Sequence, residues 1–182
     1  MIQITCSGLG GQGVLTLGLI LAELAADQGK HVTWIPSYGS EMRGGAANCT
    51  MKISDEEIIS PYIEEMDLLV ALAPQALANY QDKVRPGGCV IVNSSIVKDY
   101  EKKDGLAYLE VPANEIALAA DNARGVSLVI IGAVIANSKM VPRETGADGV
   151  DAYFAKKKID NPKTRAVFLA GYEAAVNEMA RA

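Results

Sequence analysis

The sequence predicts one domain built on an open, mostly parallel α/β sheet, with helices on both faces and a helical C-terminal third. Three observations lead there. Short apolar runs alternate with segments of helical periodicity along the first two thirds of the chain. The run Asp67 to Ala73 is continuously apolar after its first residue, as a strand covered on both faces must be. The N-terminal strand enters a helix through a glycine-rich turn, the usual first unit of such sheets.

The elements follow in order. Ile2, Ile4 and Cys6 alternate with polar residues and mark a strand. Gly8-Leu9-Gly10-Gly11-Gln12-Gly13-Val14 turns the chain, and Val14, Leu17, Leu21 and Leu24 then recur at helical spacing. Gly29 ends that helix, and His31 to Ile35 form a second strand running into Pro36. A glycine-rich loop, Ser37 to Ala47, leads to a half-exposed strand from Asn48 to Ser54, with Cys49, Met51 and Ile53 on one side. Asp55-Glu56-Glu57 read as a turn and Glu64-Glu65 as a solvated helix surface. After the central strand, Pro74 opens a helix at its first turn. Arg85-Pro86-Gly87-Gly88 read as a turn before the strand Cys89 to Asn93, and Leu106 to Val111 as a strand stopped by Pro112. Helices are expected over Ala113–Asp121, Val126–Ala136, Val150–Lys158 and from Lys163 onward. The second of these is apolar on nearly every side and should be buried.

Composition narrows the function. A chain of 182 residues with 49% apolar content suits a single core and one domain, 1–182. A net charge of −5 with scattered basic residues argues against nucleic acid as a partner. Cys6, Cys49 and Cys89 are far apart and lack any C-x-x-C spacing, so the chain by itself should hold no iron–sulfur cluster and no metal. Free thiols fit a reducing cytoplasm. His31 stands alone, without a second histidine for a triad or a metal, and no catalytic residue is assigned. The start of the chain lacks a basic n-region, and the longest apolar stretch is too short for a bilayer, so neither secretion nor a membrane is expected.

The glycine turn meets two nucleotide patterns incompletely. Gly8, Gly10 and Gly13 satisfy G-x-G-x-x-G, but no acid stands at the tip of the second strand to hold a ribose. Gly8 and Gly13 also have P-loop spacing, but Val14 replaces the lysine that would meet a triphosphate. Three readings follow: a turn needed only for packing, an anion or partner site at a helix start, and a free-standing nucleotide-binding protein. The second loop is chemically richer, with Tyr38, Gly39, Ser40, Glu41, Met42, Arg43, Gly44 and Gly45 in one stretch. Following a strand, it should emerge at the sheet's carboxyl edge beside the first turn. Asn93-Ser94-Ser95 lie at the same edge, as a helix cap or as added hydroxyls.

These two loops, together with Ile53-Ser54-Asp55-Glu56-Glu57-Ile58-Ile59-Ser60-Pro61, resemble the gamma subunit of 2-oxoacid:ferredoxin oxidoreductases. The resemblance continues through Leu69-Val70-Ala71-Leu72, Arg85-Pro86-Gly87-Gly88 and Gly171-Tyr172-Glu173-Ala174. It implies a Rossmann-like domain in an enzyme that oxidatively decarboxylates a 2-oxoacid with coenzyme A, yielding an acyl-CoA and CO2 and reducing ferredoxin. It also implies alpha, beta and delta (ferredoxin-like) partner subunits. Thiamine diphosphate would lie between alpha and beta, and iron–sulfur clusters in the beta and delta parts. The chain departs from the family at Ala123-Arg124-Gly125-Val126-Ser127-Leu128, where relatives commonly carry an asparagine–methionine pair. The residues expected to meet a cofactor or a partner are Gly8, Gly10, Gly11, Gln12, Gly13, Tyr38, Gly39, Ser40, Glu41, Arg43, Gly44 and Gly45. Among them Arg43 would receive a phosphate or an acidic side chain.

Overall fold

The computed structural model describes residues 1–38, 45–159 and 161–181. The strands are β1 (Ile2–Leu9), β2 (His31–Tyr38), β3 (Ala46–Ser54), β4 (Met66–Ala71), β5 (Val84–Asn93) and β6 (Ala107–Val111). The helices are α1 (Val14–Asp27), α2 (Pro74–Tyr80), α3 (Ala113–Ala119), α4 (Val126–Ser138), α5 (Arg143–Lys156) and α6 (Thr164–Met179). One six-stranded sheet runs β2-β3-β1-β4-β5-β6. β1, β4, β5 and β6 pair in parallel, while β3 is antiparallel to both of its neighbours. β2 therefore points the same way as β1, with one reversed strand between them. The α/β sheet read from the sequence is present, as is the helical last third.

The alternation of each strand sets the layers. Ile4 and Cys6 of β1, Leu68 and Val70 of β4, and Cys89 and Ile91 of β5 pack against α1, α3, α4, α5 and α6 in one large core. Leu69, Ala71, Val90 and Val92 point the other way, toward α2 and the chain around Val97. Helices do cover both faces, but unequally: among the described elements the second face carries only α2 and a short 3-10 turn, Gln81–Lys83. α4 is buried from Leu128 to Ala136 and crosses α6 at backbone contact. A Cβ on Gly171 would collide with the Val129 carbonyl, and one on Gly132 with the backbone of Phe168 and Tyr172. Small residues at both positions let the two helices touch.

Several boundaries differ from the sequence reading. β2 continues through Pro36 to Tyr38 because it is an edge strand, where a missing N–H need not break the ladder. Arg85-Pro86-Gly87-Gly88 do not precede a strand; they lie inside β5. There Gly87 takes φ 78° and the register to β4 shifts between Met66 and Leu68, so a bulge replaces the expected turn. α5 begins at Arg143 rather than Val150, directly after Pro142. Gly146 and Gly149 hid that first part, and both are packing contacts: Gly146 faces Phe168 and Ile135, and Gly149 faces Leu24. Glu64 and Glu65 lie in the irregular connection from β3 to β4, not on a helix.

Candidate functional site at the carboxyl edge

β1 and β4 are parallel neighbours at the centre of the sheet, and from them the chain proceeds to opposite sides, β3 and β2 on one and β5 and β6 on the other, the topological point at which open α/β sheets leave a crevice. The glycine turn occupies that crevice. Gly11 (φ 98°) and Gly13 (φ 74°) adopt the left-handed region, which a side chain would strain. Gly10 N–H donates to the Gly45 carbonyl at 2.8 Å, and Gln12 N–H to that of Leu9 at 3.1 Å. The Gln12 side chain folds inward: its Oε1 accepts from Leu9 N–H at 2.6 Å and its Nε2 donates to the Leu72 carbonyl at 3.0 Å. One amide thus ties the turn to itself and to the end of β4. Gly8 is required beneath it, because a Cβ there would run into Gln12 Oε1 and reach within 2.9 Å of Leu72 Cβ.

Two helix starts converge on this turn. Gly13 caps the start of α1 and Gly125 that of α4, and neither helix has a side-chain cap. They meet directly, since a Cβ on Gly13 would lie 3.4 Å from the Cβ and Oγ of Ser127. The first backbone N–H groups of both helices are therefore left without helical partners, with partial positive charge at one place. A cleft of about 450 Å³ opens there, lined by Gly11, Gln12 and Gly13 on one side and by Arg124, Val126 and Ser127 on the other. Asn93, Asn114, Ile96 and Leu72 line it further. A second cleft of about 430 Å³ lies on the far side of the turn, against Leu15, Thr16, Gly45, Ala46 and Ala47. The two clefts share Gly11 and Gly13. Such an arrangement can hold an anionic group by backbone donors, with one guanidinium at its mouth.

The structure brings together Gly8, Gly10, Gly11, Gln12, Gly13 and Gly45. Tyr38 ends β2 at the same edge, its backbone paired with Ala47. Gly39, Ser40, Glu41, Arg43 and Gly44 lie outside the described residues. The Gln12 amide makes two hydrogen bonds to backbone partners while the residue also lines the cleft. Asn93 and Ser95 take the cap role: Asn93 Oδ1 accepts from Ala113 N–H at 3.3 Å, and Ser95 Oγ accepts from Asn114 N–H at 2.9 Å. Both serve the start of α3. Sequence reasoning missed Arg124 and Ser127 as cleft residues, since no local pattern places the start of α4 against the first turn.

The cysteines are all buried. Cys6 and Cys49 stand opposite each other across β1 and β3. Cys49 donates toward the Val14 carbonyl at 3.6 Å. Its hydrogen bond with the Cys6 thiol holds the Cys49 pKa below the ordinary thiol value and pushes that of Cys6 well above it. Burial pushes the Cys89 thiol up to about 11. Among the described residues no three His, Cys, Asp or Glu side chains converge as metal ligands, so their donors do not fit an iron–sulfur cluster. No helix among them is long and apolar enough to cross a membrane.

Residues 3–174 match the family model described as pyruvate ferredoxin/flavodoxin oxidoreductase. The chain belongs to that family. It is 32% identical over 176 residues to the 2-oxoglutarate synthase subunit KorC of Methanocaldococcus jannaschii, covering 95% of this chain and 93% of that protein. It is 38% identical over 135 residues to the ketoisovalerate oxidoreductase subunit VorA of Methanothermobacter marburgensis, but those residues span only 28% of VorA against 74% of this chain. The fold matches the gamma subunit of a keto/oxoacid ferredoxin oxidoreductase from Geobacter sulfurreducens, with a TM-score of 0.81 and 27% identity. That match covers 97% of this chain and 99% of the other. The fold also matches 31% of a 2-oxoglutarate:ferredoxin oxidoreductase chain from Magnetococcus marinus, with a TM-score of 0.81 over 100% of this chain at 21% identity. That structure was solved with 2-oxoglutarate, coenzyme A and succinyl-CoA bound. Within the pyruvate ferredoxin/flavodoxin oxidoreductase family, this chain has the extent and fold of the gamma type.

Proposed function

We propose that this chain is the gamma subunit of a multi-subunit 2-oxoacid:ferredoxin oxidoreductase, contributing assembly contacts and part of the coenzyme A site. The observation that carries the reading is the end-to-end match to a gamma subunit, 97% of one chain on 99% of the other. The complex would oxidatively decarboxylate a 2-oxoacid with coenzyme A to an acyl-CoA and CO2 and reduce ferredoxin. Thiamine diphosphate and iron–sulfur clusters, held by alpha, beta and delta partner subunits, would supply the decarboxylation and the electron path.

The chain's own contribution lies at the carboxyl edge. The uncapped starts of α1 and α4 offer backbone donors to a phosphate group of coenzyme A. Arg124 lines the same cleft and is exposed, so its fork can meet a second phosphate oxygen. The bare turn Gly10–Gly13 lets a ligand or a partner's backbone come close. Arg43 and Tyr38 are proposed to extend this surface.

The test is reconstitution. The isolated chain should show no 2-oxoacid-dependent dye reduction and no iron–sulfur absorption. Combined with its partner subunits, it should restore coenzyme A-dependent ferredoxin reduction. In the complex, Arg124→Ala should raise the KM for coenzyme A about tenfold or more, as expected for one lost charge-assisted hydrogen bond of about 1.5–3 kcal/mol. Calorimetric titration of the isolated chain with NAD or ATP should show no low-micromolar binding. Activity of the chain alone, or an unchanged complex without it, would overturn the reading.

A further inference from the structure

The connection between β3 and β4 contains the third motif of the sequence, and the carboxyl-edge site leaves it unused. It runs along the amino edge of the sheet, at the opposite end of the strands from the glycine turn, because Ile53 pairs with Ile2 and the segment then enters Met66. Its tip carries Ile59, which is 98% exposed, and Tyr62, which is 74% exposed. No other large apolar side chain among the described residues is as exposed as Ile59.

The segment is nonetheless fixed at several points. Glu56 N–H donates to Ser54 Oγ at 3.1 Å, Lys30 pairs with Asp55, and Lys52 Nζ donates to the Ser60 carbonyl at 2.9 Å. Ile63 packs on the smaller core, beside α2. A chain held this way presents its apolar tip in one shape, so little ordering is needed on association. Around the tip stand Glu56, Glu57, Glu64 and Glu65, none of them in an ion pair among the described residues.

We propose that residues 55–65 form a second docking element, in which Ile59 and Tyr62 insert into an apolar pocket with a basic rim on a catalytic subunit of the same complex. This rests on the gamma-subunit reading above. The four carboxylates select a positively charged rim, and they argue against a second copy of this chain, whose own loop and net charge of −5 would repel it. The chain would thus be gripped at both ends of its strands, with the glycine edge meeting one surface and the acidic, apolar loop another.

The experiment is co-purification of this chain with its tagged catalytic subunits, comparing wild type with Ile59→Asp, Tyr62→Ala and the pair Glu56→Lys/Glu57→Lys. Leu118→Asp is the control, since Leu118 is 68% exposed on α3, away from the loop. Ile59→Asp and Tyr62→Ala should each weaken association tenfold or more while the isolated variants melt as wild type does. The charge reversal should weaken it too, and wild-type association should fall as salt rises. Association of the Ile59 and Tyr62 variants at wild-type strength would overturn the docking element and leave the gamma-subunit reading standing. Equal weakening by Leu118→Asp would also overturn it, because the effect would not belong to the loop. Failure of wild type itself to associate would overturn the gamma-subunit reading, and the docking element with it. Tyr62→Ala keeps the test decisive if Ile59→Asp does not fold.

Discussion

Replacing Gln12 with alanine isolates the contact that holds the glycine turn against the sheet. The side chain makes two hydrogen bonds to backbone, one to Leu9 N–H and one to the Leu72 carbonyl. Each is worth about 0.5–1.5 kcal/mol net, so Gln12→Ala should cost about 1–3 kcal/mol. For a chain of this size that corresponds to roughly 2–12 °C in melting temperature. Circular dichroism melts and urea titrations of the isolated chain measure it. A charge variant tests the geometry further. Gln12→Glu keeps an acceptor for Leu9 N–H but sets a carboxylate against the Leu72 carbonyl. Its penalty should therefore grow as pH rises through the glutamate range and shrink on acidification, when the protonated acid can donate. Gly8→Ala should be less harmful in the Gln12→Ala background than in wild type, because one of its collisions is with Gln12 Oε1. A Gln12→Ala chain melting within about 1 °C of wild type, together with strict additivity to Gly8→Ala, would refute the assignment of Gln12 as the tie between turn and sheet.

Gly171→Ala should cost about 3 kcal/mol or more, because α4 and α6 must move apart to free the Val129 carbonyl; the urea midpoint reports it. The three thiols of the native chain should resist an aromatic disulfide reagent until urea unfolds it. Cys89 also sets an alkaline limit. Its thiol loses a proton near 9 when unfolded but only at about 11 when folded, so its contribution is complete below about pH 9 and is lost as pH rises toward 11. The loss amounts to about 2–3 kcal/mol. Wild type should therefore lose more stability than Cys89→Ala between pH 8 and pH 10.5, and parallel losses in the two would contradict it.

The local signals in the sequence were strong where one residue type has one physical job. The glycines of the first turn were legible because positive φ and close approach exclude other residues, and Gly11 and Gly13 do adopt positive φ. The apolar run of β4 beyond Asp67 and the all-apolar stretch of α4 from Leu128 to Ala136 marked the centre of the core, since burial on all sides explains them. Glycine misled where its reason was tertiary. Gly146 and Gly149 fall before the helix expected from Val150, yet they sit in α5, where Phe168, Ile135 and Leu24 lie against them. Gly87 and Gly88 read as a turn, yet they bulge β5.

By itself the sequence determined the α/β class, the glycine turn after the first strand and the family. These depend on periodicity, backbone chirality and motif order, all of which are local along the chain. Only the tertiary structure decided that β3 inserts in reverse between β2 and β1, because strand order depends on which apolar faces meet and not on either strand alone. It alone placed Arg124 and Ser127 beside a turn more than a hundred residues earlier in the chain, where two uncapped helix starts share one cleft. It alone separated the third motif from the first two, setting Ile59 and Tyr62 at the opposite end of the strands, since a reversed β3 carries the chain down to the amino edge before β4 begins.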